Sequence, residues 1–230
     1  MWSWHFAVSI LPQLLEAMLI TVKATVVGFI LAIILGLCWT ICRRSSFNLL
    51  NGAVLAIVVF VRSTPLLVQL YFIFFVFPNF GITLSPFLAG VIGLGLHYSA
   101  YLTEVFRTGI DSIPKGQWEA ATALNFSRRK MWTNIILPQA IPPIIPMVGN
   151  YFIGMFKDTP LLSAITLVEM VQSARLIGAE SFRYLEAFTD VGLIFLVLSY
   201  PSSLVFRYIS RRINYRYDRS YSIKNKEVAK

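Results

Sequence analysis

The chain has 230 residues, of which 57% are hydrophobic and 13% charged, with a formal charge of +9. A soluble domain carries about 25% charged residues, so this composition excludes an ordinary water-soluble protein and implies an integral membrane one. No polar tract is long enough to make a further domain, and residues 1–230 read as one membrane domain.

In chain order, residues 1–12 lack the basic n-region and small-residue cleavage site of a signal peptide. Trp2, Trp4 and Phe6 instead suit an interfacial aromatic belt. Five apolar runs follow, at about 19–42, 50–77, 84–102, 135–156 and 188–206. Each is near the ~20 residues that cross a bilayer, so we expect an all-α bundle of five transmembrane helices. Cys38 and Cys42 sit four apart at one end of the first run, a spacing that suits neither a zinc knuckle nor a redox pair. Lys23 near the other end is placed to snorkel.

The basic residues alternate with the spans. The first connection holds Arg43 and Arg44, and the third holds Arg107, Lys115, Arg128, Arg129 and Lys130. The tail at about 207–230 holds Arg207, Arg211, Arg212, Arg216, Arg219, Lys224, Lys226 and Lys230. The positive-inside rule places all three in the cytoplasm, with the N-terminus outside and the C-terminus inside. The charge is thus topological and implies no nucleic-acid partner; membrane lipid is the partner it does imply.

The residues point to no enzyme. The histidines are His5 and His97 alone, no nucleophile elbow or metal-binding spacing occurs, and the Gly-Lys dipeptide of an ATP-binding P-loop is missing. We expect no catalytic residue, no metal and no cofactor on this chain. Transport, if any, draws its energy from an ion gradient or a separate subunit.

The third connection is long and patterned. Residues 117–124 are rich in helix formers and present Ala120, Ala121 and Ala123. Asn125 falls where the chain must turn, and Asn tolerates a left-handed backbone. Ser127 is placed to cap a second, basic helix over 128–134, and Pro138 falls at the start of the fourth span. One reading is an amphipathic hairpin on the inner leaflet; the other is a docking surface, in which small side chains let a partner approach closely.

The run Glu119-Ala120-Ala121, three residues, Asn125, nine residues, then Ile135-Ile136-Leu137-Pro138 resembles the EAA loop of ATP-binding cassette importer permeases, with Asn125 in place of the family's glycine. Residues 61–69 (VRSTPLLVQ), Glu104-x-x-Arg107-x-Gly109-Ile110 and residues 157–161 (KDTPL) are similar to signatures of the polar amino acid permeases. Trp2-x-Trp4-x-Phe6, Gly95-Leu96-His97-Tyr98, residues 116–118 (GQW) and 123–125 (ALN) look most like ectoine/hydroxyectoine permeases.

The resemblance implies a type I importer permease whose loop at about 113–138 is a coupling helix seated on an ATPase. Glu119, Ala120, Ala121, Asn125, Arg128, Arg129, Leu137 and Pro138 would form that coupling site. It further implies a bacterial inner membrane, a cytosolic ATPase dimer carrying ATP and Mg, a second permease subunit, identical or sister, and a periplasmic or extracellular binding protein.

Polar residues inside the spans mark a candidate solute pathway. Arg62 and Thr64 lie beside Pro65, which breaks the helix and frees carbonyls, as at the broken helices of other transporters; Gln69 lies two turns on. His97 and Tyr98 lie deep in the third span, and Lys157, Asp158 and Thr159 end the fourth. Arg62 or Lys157 could meet a carboxylate, and Asp158 with Tyr98 or Phe156 a delocalised cation. The bland alternatives are a Lys157–Asp158 pair, an Arg62–Glu104 pair and a satisfied interior His97; Glu104 and Arg107 read as an intrahelical pair. Rival functions are an ion-coupled transporter with Glu104, Asp158 and His97 as a proton relay, and a scaffold that recruits a soluble partner.

Overall fold

A computed structural model describes residues 2–228, with side chains to residue 213. Every regular element among them is helical. Helix α1 (Trp4–Arg43) is 40 residues long, or about 60 Å at ~1.5 Å per residue. It begins well upstream of the expected span because Ser3 caps it, accepting from the Phe6 N–H at 3.3 Å, and Pro12 is accommodated within it. Lys23 therefore lies midway along α1 rather than near its end.

The second expected span is broken. Helix α2 (Asn48–Ser63) stops at Pro65, and α3 (Leu66–Tyr71) leaves at a bend of 106° through a π turn (Phe72–Val76) and a 3-10 turn (Phe77–Phe80). Helix α4 (Pro86–Asp111) starts at a Ser85 cap. Two short helices, α5 (Lys115–Ala123) and α6 (Arg128–Met131), then form the third connection. A π turn (Trp132–Ile136) joins α6 to α7 (Leu137–Asp158), and a 3-10 segment (Thr159–Ile165) follows. Helix α8 (Met170–Ser181), which we did not expect, precedes α9 (Tyr184–Val228).

Among the described residues, three helical stretches are long and apolar enough to cross a membrane: Trp4–Arg43, Arg128–Ile165 and Tyr184–Ile213. The bent α2–α3 pair makes a fourth if counted as one span. Helix α4 is not among them. It lies at the centre, with much of its length buried by its neighbours, so it need not meet lipid with an apolar surface.

The α1–α4 seam shows why the two helices lie together. Gly28, Ala32, Gly36 and Thr40 recur every four residues and are all buried, a small-residue stripe of the kind that lets membrane helices approach closely. A Cβ added at Gly36 would sit 3.1 Å from Leu102 Cβ and 3.2 Å from the Ser99 carbonyl. Thr40 donates to the Thr103 carbonyl at 3.3 Å across this contact. The main core continues through Phe29, Leu66, Leu70, Leu94, Met155 and Leu162. A second cluster packs Ile10 and Leu14 of α1 against α8 and the start of α9.

Candidate coupling loop and solute pathway

The third connection is a folded unit at one end of the bundle. Asn125 has φ 54°, the left-handed turn its position calls for, and the Phe126 N–H closes the turn on the Ala121 carbonyl at 3.1 Å. Ser127 Oγ accepts from the Lys130 N–H at 3.4 Å and so caps α6. Ile110, Ile113, Ile136 and Ala140 form a local core beneath it, lined by Trp118, Met131 and Trp132.

The expected set divides on this framework. Ala121 is 1% exposed and turned inward, one turn on from half-buried Trp118. Its small size therefore serves the loop's own packing, which corrects the expectation that all three alanines face outward. Glu119, Ala120, Ala123, Arg128 and Arg129 are exposed, as are Leu137 and Pro138. Leu124, 71% exposed, and Phe126 join them, though neither belongs to the expected coupling set.

Beneath the loop lies a chain of charges. Glu104 takes Arg107 at 2.7 Å, the expected intrahelical pair, and also pairs with Arg43 of α1. Arg107 reaches Asp111 at 3.0 Å, and Asp111 takes Arg44 at 2.5 Å. Arg62 makes no ion pair with Glu104; its guanidinium lies 5.4 Å from the centre of the Tyr101 ring.

The candidate pathway residues fall into two groups. At the α2–α3 break, the Gln69 amide nitrogen lies 2.8 Å from the Val61 carbonyl and 3.1 Å from the Thr64 carbonyl. It is also 2.6 Å from Thr64 Oγ1. His97 Nδ1 lies 3.2 Å from the Gln69 amide oxygen. The Val61 and Thr64 carbonyls at the break are thus satisfied within the chain.

Asp158 accepts from the Tyr98 hydroxyl at 2.7 Å. Tyr98, Tyr101 and Tyr151 gather there, with centroids 5.6 to 6.4 Å apart, and His97 lies 5.2 Å from Tyr101. This cluster presents aromatic faces, one carboxylate and one guanidinium, a set able to receive both ends of a zwitterion. Thr159 is fully buried at the end of α7 and donates back to the Phe156 carbonyl at 2.7 Å. Lys157 points away from Asp158. It is exposed and lines a groove with Val171, Phe195 and Ser199.

Residues 24–215 match the family of binding-protein-dependent transport system inner membrane components. The chain belongs to that family: it is a permease subunit of a binding-protein-dependent, ATP-binding cassette transport system, a transport component of the inner membrane rather than an enzyme.

Over 204 residues it is 41% identical to a probable amino-acid ABC transporter permease protein of Sinorhizobium fredii, covering 89% of this chain and 88% of that one. It is 37% identical over 204 residues to the permease protein of the L-cystine transport system of Bacillus subtilis, covering 88% of this chain and 87% of the relative. The crystal structure of an amino acid ABC transporter with histidines superposes with a TM-score of 0.87 at 30% identity, covering 92% of this chain and 99% of that chain. Membership sets aside the self-contained ion-coupled transporter and the bare scaffold.

Proposed function

We propose that the chain imports polar amino acids or related zwitterionic compatible solutes, ectoine among them, driven by a separate ATPase dimer seated on residues 113–138. The observation that carries this reading is the loop itself. Its inner face is packed and pinned, while Ala120, Ala123, Leu124 and Phe126 lie exposed around the Asn125 turn. Apolar surface held rigidly in water implies a partner. The relatives carry amino acid transport in their names, and the Tyr98–Asp158 cluster with Arg62 supplies an opposite charge for each end of such a solute.

Five spans, the N-terminus outside and the C-terminus and loop inside would put the ATPase in the cytoplasm and the binding protein on the far side. Two permease subunits, identical or sister, would enclose the path. ATP binding would draw the two loops together and rock the spans outward-open, and hydrolysis would reset them.

The test is ATP hydrolysis by the complete complex in nanodiscs, with its binding protein and L-arginine, L-glutamine, L-cystine or ectoine in turn. One of these should stimulate hydrolysis. Leu124→Asp should abolish the stimulation and the co-purification of the ATPase while the permease still inserts. Normal stimulated hydrolysis by Leu124→Asp would overturn the docking assignment, and no response to any of the four solutes would overturn the solute class.

A further inference from the structure

At the C-terminus of α1, Arg44 makes three contacts that no motif predicted. Its guanidinium pairs with Asp111 at the end of α4. It also lies 6.0 Å from the ring centre of Trp118 on α5 and 5.9 Å from that of Trp132, just beyond α6. The two indoles meet edge to face at 5.3 Å. One side chain thus touches α4, α5 and the root of α7 from the end of α1.

The chemistry suits a joint that holds without being buried. An arginine keeps its charge at any physiological pH, its flat face can lie on aromatic rings, and its edge can donate to a carboxylate at the same time. A lysine would keep the charge and lose the fit. The contact is also continuous with the bundle, because Asp111 takes Arg107, Arg107 takes Glu104, and Glu104 takes Arg43 beside Arg44. These charges tie the ends of α1 and α4 directly under the loop.

We propose that Arg44 is a positioning residue for coupling: it fastens the loop to α1 and α4, so that a displacement of α5 is passed to the bundle as the motion of one body. This rests on the loop being the ATPase seat. Without Arg44 the loop remains folded on its own core of Ile110, Ile113, Ile136 and Ala140 and still seats the ATPase, but it slips against α1. Two cation–π contacts and a half-exposed ion pair together favour the fastened arrangement by about tenfold or more.

The experiment uses the full permease–ATPase complex in nanodiscs. Spin labels are placed at Ser46→Cys and Lys115→Cys in a Cys38→Ser, Cys42→Ser background. With Arg44 present, the label separation should stay a single narrow distribution in the nucleotide-free and ATP-bound states. In Arg44→Ala it should broaden on ATP binding, and hydrolysis should lose its response to the loaded binding protein while basal hydrolysis and ATPase stoichiometry persist. Arg44→Lys should recover only part of that response. An unchanged narrow distance with full stimulation in Arg44→Ala overturns the proposal, as does full recovery by Arg44→Lys for the stacking. If the Arg44 complex itself fails to bind the ATPase, the coupling reading has failed instead.

Discussion

Gln69 shows how a membrane helix survives a proline. Its amide nitrogen covers the carbonyls of Val61 and Thr64, which have no helical partner after the break, and His97 lies against its oxygen. In lipid each such carbonyl must be satisfied from within the protein. Gln69→Leu keeps the volume and removes the donors, so it should destabilise the fold by about 1–3 kcal/mol, the cost of an unsatisfied buried group. A lowered midpoint in thermal unfolding of the purified chain would show it, and an unchanged midpoint would mean that water or another side chain reaches the break. The sequence exposes Pro65 and the carbonyls it frees. It does not expose that a side chain of the same chain closes over them, because that depends on where a bend of 106° carries α3.

At the scale of elements, the loop was legible because its signals are local. A left-handed Asn125, a Ser127 cap and a basic second helix all follow from turn and cap chemistry within a few residues. Asn125→Gly should be tolerated, since glycine reaches φ 54° freely. Asn125→Val should cost about 1–2 kcal/mol at that backbone and open the loop to proteolysis at residues 113–138. Protection equal to that of the parent chain would show that the turn is held by packing alone.

Elements set by long-range contacts were not legible. Helix α8 is short and carries Gln172 and Arg175, so it resembles a polar connection; it is ordered by Glu169 accepting from the N–H groups of Val171 and Gln172 at 2.9 and 2.7 Å, and by burial of Met170 and Ala174 against α1. The first fifteen residues of α1, 4–18, were likewise hidden, because Pro12 and Glu16 interrupt the apolar run.

Across the whole molecule, α4 and α7 connect the two candidate sites. Helix α4 carries His97, Tyr98 and Tyr101 in its middle and the charges Glu104, Arg107 and Asp111 at its end. Helix α7 leaves the loop at Leu137 and reaches Asp158 after 22 residues, about 33 Å at ~1.5 Å per residue. That distance makes the sites separable. A Lys157–Asp158 pair is one alternative that the sequence leaves open, yet adjacent helical positions point about 100° apart, and only Asp158 turns to Tyr98. Asp158→Asn keeps the shape and removes the charge, so solute uptake should fall, with a raised KM, while the ATPase still co-purifies in full. Combined with Leu124→Asp, its effect on chain stability should add to that of the single change, because sites this far apart share no contacts. Unchanged uptake in Asp158→Asn would remove the carboxylate from the path and leave it as a brace between α4 and α7.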